Sequence, residues 1–269
     1  MDILVLVILF IFGSIIGSFL NVVILRFNTG KTVNGRSACM SCGKKLAWYE
    51  LFPIFSYLFL RGVCSKCKTK ISPQYPLVEA VTGFLFVFIF MNVIPVTTIE
   101  YFWTIFYLVM SCLLIVISVY DIRHKIIPDP FVYTFALLAF AGLFIGKMDW
   151  FIVPSWSALL AGPILALPFA LVWLISKGTW MGLGDAKLVL GLGWILGLGA
   201  GANAIILSFW IAAFISIAWL LITKHTIRPR TEIPFGPYLI IGFYVVFFYK
   251  IQVIDFGLLK DMVFVLLGY

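Results

Sequence analysis

Long uncharged apolar runs dominate the chain, and most of them approach the roughly 20 residues that a membrane-spanning helix needs. They predict an all-α polytopic membrane protein with about eight transmembrane helices. The predicted spans are residues 3–25, 77–94, 101–120, 131–147, 152–175, 186–202, 203–223 and 237–250. The last stretch, 251–269, is apolar but carries three charged residues, so it is a ninth span or an interfacial tail.

Composition supports the membrane assignment and excludes other classes. Of 269 residues, 63% are hydrophobic and 11% are charged, against about 45–50% and about 25% in an ordinary globular domain. So few charges cannot cover a water-soluble surface. Disordered, collagen-like and small disulfide-rich secreted chains are excluded by the same figures.

The basic residues predict how the chain is oriented. With eight spans, 16 of the 19 lysines and arginines fall on the same side of the membrane. The positive-inside rule places that side, with the large loop, in the cytosol and the amino terminus outside. The net charge of +8 then reflects loops that face anionic membrane lipid, and we predict no nucleic-acid partner.

A polar segment near residues 27–76 contains two C-x-x-C pairs, Cys39/Cys42 and Cys64/Cys67. Two thiolates three positions apart can grip one ion from a tight turn, and two such turns complete a tetrahedron. The spacing predicts a small cytosolic zinc-ribbon-like domain that binds zinc or another thiophilic metal. Two disulfides are the alternative, which a reducing cytosol disfavours. Cys112 lies within a span and is interpreted as a core residue.

Three aspartates, Asp121, Asp129 and Asp185, fall at the predicted inner ends of spans. A carboxylate in a membrane helix costs free energy, so it is usually retained for a function. Two such acids at one depth can share a proton, with one as general base and the other polarising a carbonyl. Gly182 and Gly184 leave room beside Asp185 for an extended peptide.

Other interpretations of these acids stay open. Asp121 can pair with Arg123 or Lys125, and Asp185 with Lys187, as ordinary helix-end ion pairs. A transporter could use the acids as a proton relay, and a zinc-ribbon scaffold would not need them. A separate run of glycines, Gly191 to Gly201, is interpreted as close helix packing.

Several motifs in order resemble one family. They are Gly17-Ser18-Phe19-Leu20-Asn21-Val22-Val23, the two cysteine pairs, Tyr75-Pro76-Leu77-Val78-Glu79, the segment Asp121 to Asp129, Gly182-x-Gly184-Asp185-x-Lys187 and Pro234-Phe235-Gly236-Pro237. Together they resemble the bacterial type IV prepilin peptidases, which are GxGD-type intramembrane aspartyl proteases and bifunctional leader peptidase/N-methyltransferases. The family usually has Asp or Asn just before the Leu-x-Pro of the cytosolic loop, whereas this chain has Glu50 at that position.

The resemblance implies a function and a set of residues. It implies that Asp121 and Asp185 are the catalytic pair, with Gly182, Gly184 and Lys187 in the supporting motif. It implies a bacterial inner-membrane enzyme that removes the basic leader of prepilins or pseudopilins at the cytosolic face. It also implies that the enzyme then methylates the new amino terminus with S-adenosylmethionine, an activity with which Gly62 and Glu79 are associated in the family. We add Asp129 as a candidate helper for the basic leader.

These expectations divide the chain into four parts. Residues 1–26 form the first transmembrane helix, and 27–76 form the cytosolic four-cysteine zinc-binding domain. Residues 77–250 form the transmembrane aspartyl protease bundle, and 251–269 form the apolar tail.

Overall fold

The computed structural model describes residues 3–30, 32–146, 150–223 and 234–254. Across these ranges the regular structure is helical, apart from two isolated β-bridges and a 3-10 helix at Trp48–Leu51. The helices are α1 (Ile3–Arg26), α2 (Phe55–Phe59), α3 (Gln74–Val93), α4 (Thr98–His124), α5 (Asp129–Gly142), α6 (Trp156–Ser176), α7 (Leu183–Thr223) and α8 (Gly236–Tyr249).

Within the described ranges five helices, α1, α3, α4, α6 and α7, are long and apolar enough to cross a membrane, whereas α5 and α8 have 14 residues each. The predicted all-α membrane protein is therefore confirmed. The count of eight crossings stays a prediction. From residue 255 onwards the predicted tail lies outside the described residues.

The helix α7 contains a reversal at Gly197, whose φ of 78° and ψ of 177° are not helical. A Cβ on Gly201 would lie 3.7 Å from the Cα of Gly193. Eight residues of continuous helix would instead separate these positions by about 12 Å. The chain therefore folds back at Gly197 within one apolar stretch.

This reversal corrects the predicted boundary between the spans 186–202 and 203–223, which is five residues too late. The stretch has no charge to mark its turn, and the spacing of its glycines predicts helix packing for Gly197 as well. Packing does explain Gly193, whose Cβ would lie 2.9 Å from the Cα of Gly162 on α6. The dihedrals of Gly197 explain why only a glycine fits there.

The chain folds as two compact units, Met1–Val116 and Ile117–Tyr269, with the division inside α4. In the first unit α1 packs against α3. A Cβ on Gly13 would lie 2.9 Å from the Cα of Gly83, so small residues let the two backbones approach closely.

A buried asparagine joins the same two helices near the start of α3. Asn21 is fully buried, and its amide donates to the carbonyl oxygens of Gly17 and Tyr75. The Gln74 amide donates to Asn21 Oδ1 at 3.2 Å. Because these hydrogen bonds satisfy the buried amide, the polar side chain stabilises the helix pair.

In the second unit α7 packs against α5, α6 and α8. The buried Asn203 on α7 also fixes the chain after α8. Its Oδ1 accepts hydrogen bonds from the backbone N–H groups of Val253 and Ile254, at 2.8 Å and 2.7 Å. The chain that leaves α8 is thus held against the second half of α7.

We expect Gly197→Ala to destabilise the protein by about 1–3 kcal/mol, because alanine is strained at these dihedrals. Leu198→Ala, a change at the neighbouring exposed side chain, should have little effect. Thermal unfolding in detergent measures both. Equal stability of the two variants would contradict the reversal at Gly197.

Candidate functional site

The two C-x-x-C pairs form the same backbone turn twice, 25 residues apart. The N–H of Cys39 donates to the carbonyl oxygen of Lys44, and the N–H of Cys64 donates to that of Thr69, both at 2.9 Å. Each turn is closed by one antiparallel β-bridge, Ala38 with Lys45 and Val63 with Lys70.

The two turns also share their tightest position. Gly43 and Lys68, each just after the second cysteine of its pair, have positive φ angles of 68° and 58°. The N–H of Gly43 donates to the Cys39 carbonyl at 2.9 Å, and that of Lys68 donates to the Cys64 carbonyl at 3.0 Å. The local sequence therefore positions both cysteines of each pair on one knuckle.

All four sulfur atoms meet at one point. The Sγ atoms of Cys39, Cys42, Cys64 and Cys67 lie within 4.8 Å of one another, and those of Cys39 and Cys67 are 3.7 Å apart. Zinc–sulfur bonds of about 2.3 Å in a tetrahedron require about 3.8 Å between sulfurs. The cysteines are free thiols rather than disulfides. The donor set fits a thiophilic ion, and the predicted zinc-ribbon-like loop is confirmed.

A buried carboxylate braces the two knuckles. Lys44, from the first knuckle, donates to Glu50 Oε1 at 2.8 Å and to Ser65 Oγ, in the second, at 2.6 Å. The Ser65 hydroxyl donates to the same carboxylate oxygen, and the N–H of Ala47 donates to Oε2 at 2.9 Å. From the sequence, Glu50 is a departure from the family and one of the acids on the inner side, and nothing in the pattern predicts this bracing contact.

These contacts lower the pKa of Glu50 to about 2, first through Lys44, then Ser65 and Ala47. The carboxylate therefore contributes stability above its unfolded pKa of 4.5, and this contribution is lost as the pH falls towards 2. Close by, hydrogen bonds from the Thr69 hydroxyl and backbone lower the pKa of Cys67 to about 6, which favours the thiolate that a metal needs.

Gly62 lies beside an open pocket of about 450 Å³, at a positive φ of 69°. A Cβ on Gly62 would lie 2.9 Å from the hydroxyl oxygen of Tyr57. A larger residue at position 62 would therefore displace the Tyr57 side chain, which lines the pocket. The pocket is lined by Tyr57, Arg61, Gly62, Val63, Lys70, Ile71, Ser72 and Pro73.

Glu79 occupies a different position. It is buried on α3, and its Oε2 accepts a hydrogen bond from the backbone N–H of Ile54 at 2.7 Å. The side chain of Ser18 on α1 also hydrogen bonds to it. Glu79 does not line the pocket beside Gly62; it holds the loop against the start of α3.

In the second unit, Asp121 lies buried in the last turn of α4, with 4% of its surface exposed. Its Oδ2 accepts a hydrogen bond from the backbone N–H of Gly236, the first residue of α8, at 3.1 Å. A Cβ on Gly236 would lie 2.8 Å from the same oxygen. A glycine at position 236 therefore lets the peptide N–H reach the carboxyl.

The first turn of α7 brings Asp185 within electrostatic range of Asp121. The side chain of Ile127 lies between the backbones of Gly184, which precedes Asp185, and Gly236, which contacts Asp121. A Cβ on Gly184 would be 2.7 Å from the Cβ of Ile127, and one on Gly236 would be 3.3 Å from its Cδ1. The structure thus brings the two predicted acids together across 64 residues of sequence.

Lys187 makes an ion pair with Asp129 rather than neutralising Asp185. Its Nζ lies 2.7 Å from Asp129 Oδ1 and 4.6 Å from the centre of the Tyr133 ring. Both contacts are on α5, so Lys187 ties the start of α7 to the start of α5. Asp129 keeps 61% of its side-chain surface exposed.

The two motif glycines differ in their surroundings. At Gly184 the space is taken by Ile127 of the chain itself, whereas a Cβ on Gly182 would have no neighbour closer than 3.9 Å. The motifs in the sequence include Ile127 and Gly236, but they predict neither the packing of Ile127 against Gly184 nor the contact of Gly236 with Asp121. The Gly236-Pro237 pair is a turn signal, which predicts a break in the chain at this point but not its partner.

The apolar helices, the two nearby aspartates and the cluster of four cysteines define a helical membrane protein with paired acids and a loop whose ligand set fits a metal ion. The chain belongs to the type IV leader peptidase family. The family model "Type IV leader peptidase family" matches residues 108–221, and "Bacterial Peptidase A24 N-terminal domain" matches residues 11–93. The resemblance inferred from the motifs is therefore confirmed.

Similar proteins cover most of the chain. A prepilin leader peptidase/N-methyltransferase of Xanthomonas campestris is 35% identical over 90% of this chain and 91% of its own length. One of Bacillus subtilis is 33% identical, covering 93% and 96%. One of Aeromonas hydrophila is 31% identical, covering 87% of each. No solved structure matches the chain.

We expect Lys44→Met to speed metal loss to a chelator, because the Glu50 carboxylate keeps its burial but loses its cation. Lys45→Met, at the adjacent exposed lysine, serves as the control and should release metal at the wild-type rate. Metal content after chelator treatment, measured by mass spectrometry, checks both. Identical release from the two variants would show that Glu50 does not brace the knuckles.

We also expect Gly184→Ala to lower the stability of the purified protein by about 1–3 kcal/mol, because its methyl group collides with Ile127. Gly182→Ala should keep the wild-type melting temperature, since its methyl group meets open space. Thermal unfolding in the same detergent compares them. A larger loss at position 182 would refute the packing described for the two glycines.

Proposed function

We propose that the protein removes the basic leader of type IV prepilins or pseudopilins and then N-methylates the new amino terminus. The relatives named as prepilin leader peptidase/N-methyltransferases support both activities. The observation that carries the mechanistic part is the proximity of Asp121 and Asp185, two acids that come from different helices.

The pair acts with one proton between two carboxyls. The ionised carboxylate takes a proton from water as the water oxygen attacks the scissile carbonyl carbon. The protonated partner donates a hydrogen bond to the carbonyl oxygen, which becomes negative. The proton taken from water then passes to the leaving amine as the C–N bond breaks. The products are the leader with a new carboxyl group and the mature protein with a free amine.

The hydrogen bond from Gly236 gives the two acids different environments. A backbone N–H favours the ionised form of the carboxyl that it contacts. Asp121 receives this bond, and we assign it the role of general base. Asp185, at the start of α7, is then the protonated partner that polarises the carbonyl.

The residues around the pair position the substrate and the helices. The open space at Gly182 admits an extended peptide beside Asp185. The Lys187–Asp129 ion pair fixes α7 relative to α5, so Lys187 is a positioning residue. Asp129 remains largely exposed and serves as the contact for a basic residue of the leader.

The chain works in the bacterial cytoplasmic membrane, with the four-cysteine loop and the aspartates on the cytosolic side. The basic loops support this orientation. Its partners are then a prepilin or pseudopilin and membrane lipid, with no nucleic acid. A prepilin presents a basic leader before an apolar helix, so its cleavage site would reach the same inner interface.

Zinc bound by Cys39, Cys42, Cys64 and Cys67 would fold the loop and take no part in chemistry. S-adenosylmethionine, when bound, supplies an electrophilic methyl group. The pocket beside Gly62 has the size of a cofactor site, and Tyr57 would form its aromatic wall. The chain must then hold the new terminal amine in its neutral form, since only the free electron pair accepts a methyl group.

We expect Asp121→Asn and Asp185→Asn each to abolish leader cleavage while the protein stays in the membrane, because neither variant can share a proton. Glu100→Gln, at the other end of α4, is the control and should cleave normally. Gel analysis of a co-expressed prepilin measures processing. Normal processing by either aspartate variant would defeat the assignment.

We expect Cys39→Ser combined with Cys64→Ser to reduce methylation more than cleavage, since the four-cysteine loop lies in the first unit and the aspartates lie in the second. Cys112→Ser is the matched control outside the cluster. Mass spectrometry of the processed pilin reports the cleaved and methylated fractions together. Equal losses of both activities would show that the loop serves the folding of the whole protein instead.

A further inference from the structure

The loop between α1 and α3 contains an apolar segment that metal binding and methylation do not explain. Residues 51–60 carry no charged side chain, although lysines and arginines lie on both sides of them. An apolar run of this length is too short to cross a membrane and is typical of a buried or an interfacial segment. The exposure of its side chains decides between these two.

The side chains of α2 point in two directions. Phe55, Leu58 and Phe59 occupy positions i, i+3 and i+4, which share one helical face, and all three are exposed, Phe59 by 84%. On another side, Tyr57 is half-buried against Gly62. The apolar face therefore turns away from the rest of its own unit and is not buried in the core of that unit.

A second group of aromatic residues continues this surface. The rings of Trp48 and Tyr49 are 5.9 Å apart, and those of Trp48 and Phe52 are 5.7 Å apart. All three side chains are exposed, Trp48 by 73%. Tryptophan and tyrosine at this density are typical of the region where lipid headgroups meet acyl chains.

One hydrogen bond fixes the depth of the segment relative to a spanning helix. The backbone N–H of Ile54, between the 3-10 helix and α2, donates to Glu79 Oε2 at 2.7 Å. Glu79 is five residues into α3, about 7.5 Å along its axis. The aromatic surface is therefore tied to the first turns of a helix that is long and apolar enough to span the bilayer.

We propose that residues 48–59 lie in the interfacial layer of the membrane, with Trp48, Phe52, Phe55, Leu58 and Phe59 inserted into lipid. The basic residues that flank the segment suit anionic headgroups, and an interfacial helix buries its apolar face about 5–10 Å deep. The segment then anchors the four-cysteine loop at the membrane surface. This inference does not depend on proteolysis or methylation.

A photocrosslinker placed at single positions of the full chain tests the proposal. Phe59 is replaced by p-benzoylphenylalanine, and the protein is reconstituted in nanodiscs of phosphatidylcholine and phosphatidylglycerol. Position 66 is the matched control, because Lys66 is an exposed residue of the same loop and lies between Cys64 and Cys67. An exposed position tolerates the probe without disturbing the core. After irradiation, mass spectrometry identifies adducts on the loop peptides.

We expect lipid adducts when the probe is at position 59 and only background labelling of lipid when it is at position 66. A second probe at position 55 should repeat the result for position 59. Crosslinks from position 59 to another copy of the chain, or to an added prepilin in place of lipid, would overturn the proposal. Absence of lipid adducts at 59 and 55, while a probe at the exposed Phe88 of α3 labels lipid, would overturn it as well.

Discussion

A carboxyl buried at a membrane helix end must find a hydrogen-bond donor, and for Asp121 that donor is the backbone N–H of Gly236. This single contact constrains the surrounding structure. A side chain at position 236 would collide with the acid, and α8 must begin where α4 ends. Ile127 then fills the space between Gly236 and Gly184 and places the first turn of α7, with Asp185, beside Asp121. The close approach of the two acids follows from packing that only glycine permits.

The four-cysteine loop is stabilised in a different way, because a hydrogen-bonded turn that occurs twice takes the place of a hydrophobic core. The same hydrogen bonds form around Cys39 and Cys64, and the Glu50 carboxylate joins the two turns through Lys44 and Ser65. A loop of this size buries little apolar surface, and the hydrogen bonds of Glu50 hold its two turns together instead. Its hydrogen bond to Glu79 connects the loop to α3.

The sequence predicts those features that depend on local patterns. Apolar runs predict the long helices, the C-x-x-C spacing predicts the four-cysteine cluster, and acids at the ends of apolar runs point to Asp121 and Asp185. Contacts between distant residues leave no such pattern. The Gly236 N–H reaches Asp121 across 115 residues, and Glu50 gave no signal as a brace. Gly197, where α7 reverses, lies among glycines that pack helices together. No charged residue beside it marks a turn, so the sequence does not distinguish it from the packing glycines.

The pH dependence of kcat/KM for cleavage of a prepilin in nanodiscs tests most directly whether Asp121 and Asp185 work as one proton-sharing pair. One carboxyl must be ionised and the other protonated, so the account predicts a bell-shaped profile with one limb for each ionisation of the pair. A rate that rises to a plateau through one ionisation and stays there at high pH would contradict it.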